Sequence, residues 1–157
     1  MIELPTPESL AALVSGVTQV MLGMSFRLAP AEAGGEVPWQ GGAAWRVAVL
    51  PIPGKRPLTV AVASDQHGAA LLGSAMFSCP PNAVDGTMAD DSLSELSNII
   101  AGQVKSVLAP DQALGLPRIL SPREGFDQQK MTGWRNATLK NNDKQVRVWI
   151  AIAEGVL

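Results

Sequence analysis

Two strand-length runs rich in β-branched and small apolar residues, WRVAVLPI from Trp45 to Ile52 and LTVAVAS from Leu58 to Ser64, are separated only by PGKRP. Five residues containing one Gly and two Pro reverse a chain sharply, so the two runs predict a β-hairpin. A hairpin commits the chain to an antiparallel sheet, and a second pair of runs extends it. WRNATLK from Trp134 and QVRVWIAIA from Gln145 are joined through the turn-rich NND.

Before and between these pairs the hydrophobic period changes from two to about 3.6. Thr6, Pro7 and Glu8 supply a capping oxygen, a first-turn proline and an acid at the positive end of a helix dipole. Leu10, Leu13, Val14, Val17 and Met21 then form one stripe, which predicts a helix from about Pro7 to Leu22 closed by Gly23. DQHGAALLGSAMF, from Asp65, predicts a second helix, in which Gly68 and Gly73 are expected to cost about 1 kcal/mol each relative to Ala. After the loop SCPPNAVDGT, a third helix is expected from about Asp90 to Leu108, ending before Pro110. MSFRLAP reads as a short strand, AEAGGEVPWQGG as a Gly-rich loop, and GLPRILSPREG as a loop around a short extended piece. The expected fold class is α/β of the two-layer α+β kind, a mostly antiparallel sheet with helices packed on it. Residues 1–157 read as a single domain, without repeat, linker or low-complexity tract.

A chain of 157 residues buries roughly two-thirds of its unfolded surface without disulfide or metal staples. The formal charge of -2, with no local concentration of Lys or Arg, argues against nucleic-acid or anionic-membrane partners. The single Cys79 has no internal disulfide partner, and Pro80 and Pro81 beside it mark a turn rather than a ligand spacing. MIELPTPESL has an acid where a signal peptide needs basic residues, and no apolar run reaches membrane-spanning length, so a cytoplasmic protein is expected. A lone His67 at a helix start reads as a surface or capping residue. Catalytic triads, phosphate-cradling Gly loops and metal-ligand clusters are not recognisable, so no metal or cofactor is expected on this chain. The NAT sequon at Asn136 falls in a predicted strand, and the four Trp residues are expected in the core and at sheet edges.

The third helix carries the chemistry. Leu93, Leu96, Ile100, Val104 and Val107 fall in a stripe roughly 80° wide, the core-facing side. Glu95, Asn98 and Gly102 project on nearly the opposite side within about 60° of one another, together with Asp91, Ser94 and Lys105. Most such faces are merely solvated. Gly102 argues against that here, because an exposed mid-helix Gly costs about 1 kcal/mol against Ala and gains a solvated face nothing. Its use would be to let another body come close to the helix beside Asn98. An outward Asn offers a neutral donor and acceptor that can hold a water or a phosphoryl oxygen, and an outward Glu offers a charge for a Lys or Arg.

SELSNIIAG, from Ser94 to Gly102, resembles the catalytic helix of the CheC/CheX family of chemotaxis phosphatases, whose hallmark is E-x-x-N on an exposed helix, commonly as E-L-x-N-x-x-x-G. Glu95, Leu96, Asn98 and Gly102 match position by position, and the order of elements extends the resemblance over most of the chain. The resemblance implies a phosphatase acting on the aspartyl phosphate of a CheY-like receiver domain. Asn98 would orient the attacking water and Glu95 would pair with a receiver Lys, while Asp91, Ser94, Gly102 and Lys105 would border the docking face. Mg²⁺ would be held by the receiver. The first helix has Glu8 followed three residues later by Ala11, so a second E-x-x-N is missing, as in the CheX-like branch. LPRILSPREG departs from the family's Pro-to-Gly segment. Two alternative functions remain open at this level, and one question of assembly. The first is a non-catalytic adaptor of the same fold that docks a receiver or flagellar switch component. A small-ligand sensor using the loop near Gly34 and Gly41 is the second. With any of these functions, QVRVWIAIA would be a strand able to pair across a homodimer if it lies at a sheet edge.

Overall fold

A computed structural model describes residues 3–28, 45–120 and 135–155. Their elements are α1 (Pro7–Leu22), β1 (Arg27–Leu28), β2 (Trp45–Ile52), β3 (Leu58–Asp65), α2 (Gln66–Phe77), a single 3₁₀ turn (Pro81–Ala83), α3 (Gly86–Leu108), β4 (Arg118–Leu120), β5 (Arg135–Asn141) and β6 (Val146–Glu154). The six strands form one sheet in the order β1-β5-β6-β3-β2-β4, antiparallel at every pairing. Both expected hairpins are present. In the first, Ile52 pairs with Leu58 across PGKRP; in the second, Asn141 pairs with Val146. The Gly-rich loop from 31 to 42, Trp39, Trp134 and all of SPREG lie outside the described residues.

Strand alternation decides which side chains meet the helices. Ala48, Leu50 and Ile52 of β2, Leu58, Val60 and Val62 of β3, and Val146, Val148, Ile150 and Ile152 of β6 are buried on one face, together with Leu10 and Val14 of α1, Leu72 of α2, and Leu93, Leu96, Ile100 and Val104 of α3. All three helices therefore pack on that face. The other face is a smaller apolar cluster of Val47, Val49, Ala61, Ala63, Trp149 and Ala151. Of the four Trp residues, Trp149 is buried and Trp45 is half-buried beside the second cluster. Among the described residues no helix is long and apolar enough to cross a membrane.

Three expectations are corrected. β6 lies between β5 and β3 with both edges paired, so QVRVWIAIA offers no free edge for a dimer. Among the described residues the outermost strands are the short β1 and β4. In α1 the buried seam is Leu10, Ala11, Val14 and Thr18, and Met21 at the end of the expected stripe is 43% exposed. Thr18 takes a core position because its hydroxyl donates to the Val14 carbonyl and lies 2.8 Å from the Met24 carbonyl. In α3, Val107 is 77% exposed. A helix of 23 residues is about 34 Å long, whereas an eight-residue strand spans about 27 Å. The last turn thus outruns the layer beneath it.

Glycines in the helices change sign once their surroundings are known. A Cβ on Gly68 would lie 2.0 Å from the Ser64 hydroxyl and 3.3 Å from the Arg147 carbonyl, and one on Gly73 would lie 2.7 Å from Val84. Ser64 itself donates to the Arg147 carbonyl at 2.6 Å. These glycines let α2 approach the sheet and the turn before α3, so they are not simply weak helix positions. A Cβ on Gly102 meets nothing within 4 Å. Gly68→Ala is therefore expected to destabilise by about 1–3 kcal/mol through overpacking, whereas Gly102→Ala should stabilise by about 1 kcal/mol through helix propensity. Urea unfolding of the two variants measures the difference.

Candidate functional site

The motif helix begins a turn earlier than the sequence predicts. Asp85 is its N-cap, its carboxylate accepting from the Met88 amide at 2.8 Å, so the Asp-Gly pair that reads as a loop opens the helix instead. The helix ends with Ala109 as C-cap, immediately before Pro110. Lys105 lies in its last turn and donates to the Pro110 carbonyl at 2.9 Å, a favourable place for a cation.

α3 is fixed from behind and at both ends. Leu93, Leu96, Ser97, Ile100 and Ala101 are fully buried. Near its start, Asp90 accepts from Arg46 of β2 at 2.6 Å, a partly solvated pair worth at most about 1 kcal/mol. Beyond its end, the buried Gln112 donates to the Ile52 and Arg56 carbonyls and accepts from the Arg56 amide, tying the helix exit to the β2–β3 turn. Gly115 donates to the Pro51 carbonyl at 2.7 Å in the same region. A face carried on such a helix is positioned by contacts behind it and at its ends, and Glu95 and Asn98 need no contact of their own to be placed.

On that face Glu95 and Asp91 are exposed, and Ser94, Asn98, Gly102 and Lys105 are half-buried. Residues three apart on a helix stand about 5–6 Å from each other at Cβ, so Glu95 and Asn98 can engage one partner together. Neither side chain has a hydrogen-bond or ion-pair partner among the described residues. Ser97 and Ser106 donate to the carbonyls of Ser94 and Gly102, placing their hydroxyls on the helix backbone. His67 is exposed, with Nε2 3.0 Å from the Lys144 carbonyl, a surface contact. Among the described residues no group of three His, Cys, Asp or Glu side chains is gathered as a metal site would require.

One feature beside Glu95 has no separate signature in the sequence. A groove of about 390 Å³ is lined by Met21 and Leu22 from the end of α1, Ala75, Met76 and Phe77 from the end of α2, and Asp91 and Glu95 from α3. Met21 belongs to an apolar stripe that would ordinarily be read as core, and the convergence of two helix ends on the middle of a third is visible only in three dimensions.

No protein-family model and no curated protein matches the sequence. Solved structures do match the fold. The chemotaxis protein CheX from Vibrio vulnificus is similar at 15% identity and a TM-score of 0.67, over 93% of each chain. The structure of a CheX–CheY–BeF3–Mg complex from Borrelia burgdorferi contains a chain similar at 15% identity and a TM-score of 0.66, over 98% of this chain and 100% of that one. A CheC-like superfamily protein from a Shewanella species is similar at 12% identity and a TM-score of 0.60, over 94% and 95%. The similarity runs over nearly the full length of each chain despite this divergence, and the protein has the fold of the CheX and CheC-like chemotaxis proteins.

Proposed function

We propose that this protein is a phosphatase of the CheX-like branch, acting on the aspartyl phosphate of a CheY-like receiver domain. The observation that carries the reading is the pairing of Glu95 and Asn98 one turn apart on the outward face of α3, both without a partner in the described chain. Support comes from the Borrelia structure, in which a CheX is in complex with CheY. In α1 the corresponding spacing gives Glu8 and Ala11, of which Ala11 is buried, so one site per chain is proposed.

The chemistry asks little of the phosphatase. An acyl phosphate is already labile, and a receiver's own Mg²⁺ neutralises the phosphoryl oxygens. What remains is to hold a water in line with phosphorus, which the amide of Asn98 can do with its acceptor and donor. Glu95 pairs with a receiver Lys and fixes the register in which Asn98 enters. Mg²⁺ belongs to the partner in this scheme.

The test is decay of phosphorylated receiver domains under single-turnover conditions, with this protein in excess and Mg²⁺ present. Decay at least tenfold faster than for the receiver alone is expected for the cognate partner. A receiver that binds without faster decay would make the protein an adaptor, and a full receiver set that neither binds nor decays faster would overturn the proposal.

A further inference from the structure

The groove beside Glu95 combines an apolar lining with a concentrated negative potential. Its lining side chains from α1 and α2 are Met21, Leu22, Ala75, Met76 and Phe77, and its α3 side carries the carboxylates of Asp91 and Glu95. Met21 and Phe77 remain 43% and 45% exposed, a large apolar area to leave against water at the border of a polar face. Both α1 and α2 end at the groove, and each helix C-terminus acts as roughly half a negative charge. Neither helix has a basic residue in its last turn. Their caps are backbone amides: those of Gly23 and Met24 reach the Gln19 and Thr18 carbonyls, and those of Ser78 and Cys79 reach the Ser74 carbonyl. Such caps satisfy hydrogen bonds without supplying a compensating charge.

A cavity of this kind is complementary to an apolar side chain that stands next to a cation. The two methionines suit it further, since an unbranched, polarisable side chain adapts to the shape of its guest. We infer that this groove is the docking subsite of the partner receiver. It takes an apolar side chain that the receiver presents beside a lysine or arginine, with Asp91 and Glu95 holding the cation. The inference rests on the reading that the partner is a receiver bringing a Lys to Glu95. It adds Met21, Met76 and Phe77 to the docking surface, gives Asp91 a role there, and explains why that surface is apolar on one flank of α3.

The groove can be watched without reference to catalysis. The protein is labelled at its methionine methyl groups with ¹³C and titrated with purified CheY-like receiver domains from the same genome, each loaded with BeF3 and Mg²⁺. Met21 and Met76 report on the groove, and the buried Met24 reports on the core. On saturation with the binding receiver, the Met21 and Met76 signals should shift while Met24 stays in place. Phe77→Lys should weaken receiver binding at least tenfold, raising KM while kcat stays within threefold, and Phe77→Leu should keep binding within threefold. An unmoved Met24 signal in each variant checks that it is folded. Groove signals that do not move at saturation, or unchanged binding by Phe77→Lys, would overturn the inference. So would groove signals that shift with the protein's own concentration alone, which would identify a second copy as the occupant. The two readings fail separately. Moving groove signals with no acceleration of phosphate loss would sink the phosphatase and keep the subsite, and accelerated loss with silent groove signals would do the reverse.

Discussion

Asn98→Ala should lower the single-turnover rate of receiver dephosphorylation by on the order of 10² or more while leaving receiver binding within a few-fold. That is the scale lost when one preorganised hydrogen-bonding group is removed from a transition state, and it corresponds to about 2.7 kcal/mol. The split follows from where Asn98 sits. Its helix is held by fully buried Leu93, Leu96 and Ile100 on the opposite side, so truncation on the outer face leaves the scaffold and the docking groups in place. Asn98 has no partner in the described chain to be orphaned, so the variant should also keep its stability. Asn98→Asp is the sharper test. It preserves shape and an acceptor, loses the donor, and brings a negative charge towards a phosphoryl group, so it should be slow as well. A rate for Asn98→Ala equal to that of the parent protein would mean that Asn98 does not touch the reaction.

Much of the fold was legible because local signals and tertiary packing agree. α1 begins and ends where Thr6, Pro7 and Gly23 predict, and both hairpins fall where Pro, Gly and Asn interrupt strand-length runs. The misses share one cause, which is that a one-dimensional pattern does not say what lies next to an element. Val107 continues a helical stripe past the edge of its support, and Met21 does the same into a groove. Asp85 looked like a turn residue because Asp-Gly serves both turns and helix starts. Gly68 and Gly73 looked like defects because propensity ignores the hydroxyl and the valine packed against them. The outward face of Glu95, Asn98 and Gly102 was legible because α3 is amphipathic over its whole length. The apolar flank beside it was not, because it is assembled where the ends of α1 and α2 meet the body of α3.

Glu95→Ala should weaken the receiver complex by about 2–5 kcal/mol if its carboxylate is desolvated against a receiver Lys, a loss of about 30-fold or more in Kd. A rim pair would lose at most about 1 kcal/mol, and that loss would fade as salt rises. The environment of Glu95 favours the larger value. It lines a groove with five apolar side chains, so a docked partner would exclude water from one side of the pair. Glu95→Gln should lose nearly as much, since it keeps the shape and removes the charge, and measuring Kd at two salt concentrations separates the two regimes. Gly102→Leu tests the same face by bulk rather than by charge. Because a Cβ there meets nothing within 4 Å, leucine is tolerated in the free protein and should raise helix stability by a little under 1 kcal/mol. Binding should nonetheless fall at least tenfold, since the added side chain occupies space that the partner would fill beside Asn98. A more stable protein with a weaker complex is a combination that folding defects do not produce. Unchanged binding in both Glu95→Ala and Gly102→Leu would instead make this face ordinary solvated helix.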